Sequence, residues 1–309
     1  MAGRQAMTVT AAVRLANPHS WIAAVYPAVF GELYCLLAGY DISWLQAVLL
    51  LGACILMQSS VNTLNDYFDF VKGTDTTDDF VEVHDAVLVY EDIAPKQALY
   101  LGFAYLAAAA LLALPVIVGA GPAPWCIGLV GGLVVLAYSG GKTPLSYLPV
   151  GELVSGGVMG GLIPLGVAAA VHGIVDGLAL ILAIPFIIGI GLVMMTNNIS
   201  DIEKDRQARR KTLPVVVGRP TAVRLYRAAV VCWMASLIVI PLWYGGFSGL
   251  IVPALAVLTG RKVFVFLLTS PMIPQERVRQ MKSIAMANVL GNGAYLIGAA
   301  LAVLAGRTV

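Results

Sequence analysis

Charge is what this sequence most lacks. Only 12% of its 309 residues are Asp, Glu, Lys or Arg, while 59% are hydrophobic. A soluble domain carries roughly twice that charged fraction, so most side chains must face lipid or other buried helices. Cysteine is scarce as well. Cys35, Cys54, Cys126 and Cys232 all sit inside apolar runs, where they read as small hydrophobes and not as a disulfide framework or a metal cage. The histidines, His19, His84 and His172, show no ligand spacing and are expected at interfaces. A net charge of +2 without a concentrated basic surface argues against a nucleic-acid partner. The first fifteen residues lack the apolar core and cleavage pattern of a signal peptide.

What the chain does have is long apolar runs. Stretches able to cross a hydrocarbon layer of ~30 Å fall near residues 20–40, 44–64, 97–119, 123–139, 151–171, 177–198, 222–243, 247–269 and 283–305, the eighth cut by Arg261 and Lys262. In lipid such segments must be helices, because β-barrels need short, alternating strands. The expected fold class is an all-α polytopic membrane protein of nine transmembrane helices, a single domain over residues 1–309.

Basic residues then orient the chain. With nine helices, eighteen of the nineteen Lys and Arg fall on the side holding the N-terminus and the loops near 65–96, 140–150, 199–221 and 260–282; Arg307 alone falls on the other. Positive residues stay cytoplasmic. The N-terminus and the loops just named are therefore expected in the cytoplasm, and the C-terminus on the opposite side.

Against this sparse background, the stretch "NTLNDYFDFVKGTDTTDD" at 62–79 places five aspartates between residues 66 and 79. Such a cluster repels itself unless a cation neutralises it. If helical geometry continues past the second run, Asn62, Asp66 and Asp69 share a face at i, i+4 and i+7. The sixth run ends in "MMTNNISDIEKDRQARRKTL", where Asn197, Asp201 and Asp205 again step by four, with Asn198 beside them. The echo hints at two similar halves, about 1–150 and 151–309. Oxygen donors without His or Cys favour Mg²⁺ over Zn²⁺. Two facing acidic stations could hold two such ions with a diphosphate between them. Lys72, Lys142, Arg206 and Lys211 are near enough in sequence to neutralise what remains, with Arg209 and Arg210 also available. Asp78, Asp79, Glu82, Asp85, Glu91 and Asp92 read equally well as a solvated acidic loop.

These stations resemble the two aspartate-rich motifs of the UbiA superfamily of intramembrane prenyltransferases. Asn65, Asp66 and Asp69 match the first motif, and Asp201 and Asp205 the second. Many members carry a further Asp four residues after the first motif; here that position is Gly73, and Asp75 follows instead. In this variant, in "NNISDIEKDRQARRKTL" through Arg206, Lys211 and Thr212, and in "YSGGKTPLSYLPVGEL" at 138–153, the chain is similar to the branch that prenylates 1,4-dihydroxy-2-naphthoate in menaquinone synthesis. It departs from the family after the first motif, where no Lys or Arg lies between Lys72 and Lys96. Either Lys142 and the 206–211 cluster carry the diphosphate, or the donor is seated differently.

The resemblance implies a helical bundle around a central cavity in a bacterial or archaeal cytoplasmic membrane. It also implies a polyprenyl diphosphate donor, an aromatic acceptor and bound Mg²⁺. Asp66, Asp69, Asp75, Asp201 and Asp205 would be metal ligands, with Lys142 on the departing diphosphate and Asn62, Asn65, Asn197 and Asn198 around the substrates. Carboxylate-bound Mg²⁺ with nearby Lys and Arg would stabilise the leaving diphosphate, and a dry, apolar interior would protect the allylic cation. Ionisable groups inside spans are functional candidates by default. Glu32, near the middle of the first helix, could orient an acceptor hydroxyl or be a protonated carboxyl bonded to another helix. Glu152 suits the N-terminal dipole of the fifth helix or a substrate contact. Tyr138 and Tyr147 border the expected cavity mouth, as ordinary interfacial tyrosines or as aromatic faces for a cation.

Other readings weigh less. "GGKT" at 140–143 lacks the glycine a phosphate-binding loop requires, since position 136 is Leu136. A UbiA-type enzyme with another acceptor, such as 4-hydroxybenzoate, homogentisate or a glycerol-phosphate lipid, or a terpene cyclase, would share the motifs. A divalent-cation transporter would place its carboxylates nearer the midplane.

Overall fold

A computed structural model describes residues 7–73 and 87–309, and every regular element among them is helical. The chain begins with α1 (Val9–Ala16), capped by the Thr8 side chain, and bends by 63° into α2 (Ile22–Leu37). Asn17, in the left-handed region at φ 46°, and a single turn at Pro18–Ser20 form the bend. Next comes α3 (Trp44–Lys72), opened by a Ser43–Gln46 capping box and closed by Gly73 at φ 67°. Its 29 residues extend roughly 43 Å at 1.5 Å per residue, well beyond a ~30 Å hydrocarbon layer. The last turns of α3 therefore carry Asp66 and Asp69 out of the apolar zone.

After α4 (Val87–Tyr90) come α5 (Pro95–Ile117), which packs along α3, and α6 (Pro122–Ser139). The fifth expected run is a composite: α7 (Gly151–Ser155), a π-helical stretch at Gly156–Leu162, then α8 (Ile163–His172). Then α9 (Gly177–Leu182) leads into α10 (Ile184–Ser200), α11 (Ile202–Gln207) and α12 (Leu213–Val217). The chain closes with α13 (Arg219–Thr259), α14 (Arg261–Thr269) and α15 (Arg277–Leu304). The core lies where α2, α10, α13 and α15 meet, around Phe30, Phe186, Trp233 and Tyr295. Phe30 and Phe186 stand 5.1 Å apart, and Tyr295 donates to the Leu182 carbonyl at 2.8 Å.

Six helices among the described residues are long and apolar enough to span a membrane, or seven if the bent α1–α2 pair is one span. The protein is an integral membrane protein, but the expected count of nine is not established. α10 has only 17 residues, and the runs expected at 222–243 and 247–269 begin inside one helix, α13. That helix breaks at Gly246, whose φ of 57° and ψ of −139° no helix accommodates. Sequence hydropathy separated the two runs; the backbone joins them through a kink.

The π-helical stretch lets α10 approach the fifth run at backbone distance. A Cβ on Gly160 would stand 2.4 Å from the Ile187 amide nitrogen, and one on Gly156 would stand 2.4 Å from the Ile187 carbonyl oxygen. Gly160→Leu therefore forces α10 away, an overpacking cost of about 1–3 kcal/mol or more. Thermal unfolding in detergent should show a lowered midpoint; an unchanged midpoint would mean that this contact does not hold α10.

Candidate active site

The ends of α3 and α10 arrive at one polar chamber of about 240 Å³. From α3 it is lined by Asn62, Asn65, Asp66 and Asp69, and from the end of α10 by Asn197, Asn198 and Asp201. Tyr138, Lys204, Arg210 and Arg277 complete the polar wall. The helical register inferred from the sequence is thus present in space: residues 62, 66 and 69 lie in one unbroken helix.

Arg210 joins the two stations. Its Nη2 donates to Asp69 Oδ1 at 2.5 Å, and its Nη1 lies 3.8 Å from Asp205 Oδ1. The guanidinium rests on the Tyr147 ring, 4.6 Å from the centroid, and Lys72 covers the same ring at 4.9 Å. Asp205 is 2% exposed and accepts from Thr212 Oγ1 at 3.0 Å. Burial pushes its carboxyl up to about 6, against the opposing pull of Arg210 and Thr212. At the second station Arg277 Nε donates to both Asp201 oxygens, at 2.9 and 3.2 Å, while its Nη2 reaches Asn197 Oδ1 at 2.5 Å. Burial raises the Asp201 carboxyl too, opposed by Arg277.

Asp66 divides its duties. Its oxygens accept the backbone N–H groups of Val87 at 2.7 Å and Leu88 at 3.2 Å, tying α4 back onto α3. Asn65 bridges Asp69 and Ser139: its Nδ2 donates to Asp69 Oδ2 at 3.1 Å and its Oδ1 accepts from Ser139 Oγ at 2.6 Å. Asn62 fastens the α1–α2 bend, donating to the Ala16 carbonyl at 2.9 Å and to Ser20 Oγ at 2.7 Å. Asn198 donates to Glu152 Oε1 at 2.9 Å.

Several expected site residues stand elsewhere. Lys142, Arg206 and Lys211 are exposed and do not line the chamber. Lys142 follows Gly141, whose φ of 82° turns the chain outward. Arg206 is one residue past buried Asp205, hence about 100° around the helix. Lys211 uses its backbone N–H, at 2.8 Å from the Tyr147 carbonyl, while its side chain is exposed. Lys72 lies at the rim, donating to the Ser139 carbonyl at 2.8 Å. Glu32 lies within α2, outside the chamber, and its Oε1 has no hydrogen-bond partner among the described residues. Asp75, Asp78, Asp79, Glu82 and Asp85 lie outside the described residues. Glu91 pairs with Arg14 at the surface.

Sequence reasoning missed Arg277 and Lys204, and named Arg210 only as available. Arg277 comes 76 residues after Asp201 and keeps no spacing with it. The available signal was that its loop falls on the same side as the aspartates.

A second, apolar cavity of about 330 Å³ adjoins the chamber. Asn62, Asn65, Tyr138 and Met194 border both. Its walls are otherwise residues such as Leu50, Met57, Ile127, Val158, Leu162 and Val167. A polar chamber rich in carboxylates thus stands at the mouth of an apolar one. Among the described residues, no three His, Cys, Asp or Glu side chains converge as a ready metal cage. The donor set still fits Mg²⁺, which takes one or two carboxylates and completes its shell with waters and phosphate oxygens.

Residues 24–289 match the UbiA prenyltransferase family. The chain belongs to that family. It is 32% identical over 231 residues to a 1,4-dihydroxy-2-naphthoate octaprenyltransferase of Bacillus subtilis, covering 73% of each chain. An enzyme of the same description from Mycobacterium tuberculosis is 32% identical over 60% of this chain and 62% of its own. Among solved structures, a UbiA homolog from Archaeoglobus fulgidus bound to GPP and Mg²⁺ shares the fold at TM-score 0.61 and 15% identity, covering 94% of this chain and 99% of its own. A UbiA homolog from Aeropyrum pernix in its apo form does so at TM-score 0.62 and 16% identity, covering 88% and 96%.

Arg210→Met removes the cation that Asp69 and Asp205 share. Breaking a buried charge pair costs about 3–5 kcal/mol, so the thermal midpoint should fall clearly, whereas exposed Lys211→Met should stay within about 0.5 kcal/mol. Equal midpoints for the two variants would mean that the bridge contributes nothing.

Proposed function

We propose that the chain transfers a polyprenyl group from its diphosphate to an aromatic acceptor, 1,4-dihydroxy-2-naphthoate being the best candidate. The observation that carries this reading is the border between the two cavities. Charged groups suited to a diphosphate and its metal adjoin an apolar cavity suited to an isoprenoid tail. The B. subtilis and M. tuberculosis relatives, named for naphthoate prenyl transfer, favour that acceptor.

Asp66 and Asp69 on α3 and Asp201 at the end of α10, which line the chamber, would hold Mg²⁺, with Asp205 behind them against Arg210 and Thr212; two ions are the number that two stations suggest. When bound, Mg²⁺ supplies Lewis-acid stabilisation of the departing diphosphate. The chain's own contribution is charge and dryness. Arg210, Arg277 and Lys204 line the chamber with positive charge and compensate oxygens that gain negative charge as the allylic C–O bond breaks. The bonding electron pair leaves with the diphosphate. A ring carbon of the acceptor then forms the new C–C bond, and the ring rearomatises by losing its carboxylate as CO₂ or a ring proton. The apolar walls keep water from the cation in the interval. The asymmetry of basic residues favours the cytoplasmic face for this chemistry.

Purified protein incubated with a long-chain polyprenyl diphosphate, 1,4-dihydroxy-2-naphthoate and Mg²⁺ should form prenylated product, and chelation by EDTA should stop it. Asp69→Ala and Asp201→Ala should each lower kcat about 100-fold or more, on the scale of losing a main electrostatic stabiliser, in protein that keeps its helical circular dichroism although the lost ion pair lowers its thermal midpoint. Near-normal turnover in either variant, or indifference to chelation, would remove the mechanism.

A further inference from the structure

The outer face of the bundle carries a basic groove that shares no lining residue with the chamber or the apolar cavity. It is open, of about 610 Å³, between α14 and the first turns of α15. Val263, Glu276, Arg279, Lys282, Ser283 and Met286 contribute to its walls. Helical rotation lets α15 serve both places. Arg277 is buried and holds Asp201, whereas Arg279, about 200° further round the helix, is exposed. Among the described residues that line the groove, Glu276 is the one acid, 3.8 Å from Arg279 Nη1. It leaves the positive charge of the groove in excess.

Arg279 is held in place at the groove. Its guanidinium lies over the Phe266 ring of α14, 4.5 Å from the centroid. Lys262, four residues before Phe266, shares that face of α14 and is exposed. Lys262, Arg279 and Lys282 thus edge one groove against a single carboxylate.

Depth in the membrane says what the groove meets. α15 ends at Leu304, and a ~30 Å hydrocarbon layer takes about twenty residues of helix. Counting back from Leu304 reaches the turn between Lys282 and Met286. Beyond that level the exposed side chains are apolar, among them Met286, Val289 and Ile297 on α15 and Leu255 and Leu258 near the end of α13. Gly260, where α14 begins, faces Leu290: a Cβ there would stand 3.3 Å from its Cδ1. Lys262 is therefore rooted just inside the apolar layer and extends its ammonium outward to the same boundary. Clustered cations stand at headgroup level, directly above a strip that faces acyl chains.

We propose that this groove binds an anionic phospholipid, its phosphate held by Arg279 and Lys282 with Lys262 at the edge, and its acyl chains laid along Met286 and Val289. Arginine and lysine both suit a phosphate. A zwitterionic lipid fits less well, because the same cations repel its own positive group. The bound lipid bridges α14 to the first turns of α15, the segment from which Arg277 holds Asp201. The site does not depend on the prenyl-transfer reading.

Native mass spectrometry of the detergent-purified protein tests this, with titrations of phosphatidylglycerol, phosphatidylcholine and inorganic phosphate. The wild type should retain phosphatidylglycerol about 30-fold more tightly than phosphatidylcholine, Arg279 and Lys282 each contributing about fivefold. Excess inorganic phosphate should not displace it, since the acyl chains supply part of the binding. Arg279→Gln/Lys282→Gln should lose the preference. Lys96→Gln/Arg224→Gln, which removes two exposed basic residues elsewhere, should keep it. Equal retention of the two lipids by the wild type, a preference intact in the groove variant, or equal losses in both variants would overturn the site. Displacement by inorganic phosphate would overturn the lipid as its occupant.

Discussion

The Arg210 guanidinium between Asp69 and Asp205 is the interaction on which the site depends. Those carboxylates come from helix ends far apart in sequence, and without a cation between them they would repel. Arg210 is itself held from several sides. Tyr147 supports its plane, its backbone N–H donates to the Asp205 carbonyl at 2.8 Å, and the next residue binds the Tyr147 carbonyl at 2.8 Å. Arg209 takes the left-handed conformation, at φ 56°, that turns the chain back toward Asp205. The loop is therefore built around a fixed charge, and the acidic chamber stays closed to self-repulsion whether or not a metal is present.

Behind that charge, helix packing fixes where the chamber opens. α10 is held by the glycine-lined π-helical stretch on one side and by a satisfied polar ladder on the other. Asn288 donates to the Gly189 carbonyl at 3.1 Å, Asn292 to Asn288 Oδ1 at 2.9 Å, and Trp233 to Asn292 Oδ1 at 3.1 Å. A ladder in which each member has its partner specifies one helix register in an apolar interior. It places Met194 on the border between apolar and polar cavities and Asp201 at the chamber rim. On the other half, Asn62 performs the matching task by fastening the α1–α2 bend to α3. Residues that look functional by spacing thus share the site with neighbours whose work is to hold it.

Much of this was legible in the sequence. Scarce charge announced a membrane protein, and the four-residue steps at 62, 66 and 197, 201, 205 marked the two stations, because helical register is a local property. Asp69 and Asp201 line one chamber as that register implied. What local spacing could not supply was the identity of the cations. Proximity in sequence favoured Lys142, Arg206 and Lys211, whereas the chamber takes Lys204, Arg210 and Arg277, because which side of a turn faces inward depends on tertiary packing. The count of nine spans is not established for a related reason. Hydropathy sees an interruption at Gly246 but not whether the backbone ends or merely kinks there. Glu152 looked like a dipole partner at a helix start; only its pairing with Asn198 shows the inward orientation.

The central claim is that both acidic helix ends belong to one metal–diphosphate site. Mn²⁺ binding in the presence of inorganic diphosphate, followed by electron paramagnetic resonance, tests it through a cycle of Asp69→Asn, Asp201→Asn and the double variant. For a shared site, the double variant should bind little more weakly than the poorer single variant, the coupling exceeding about 1 kcal/mol. Strictly multiplicative losses, with each station keeping its own independent Mn²⁺ affinity, would contradict the account.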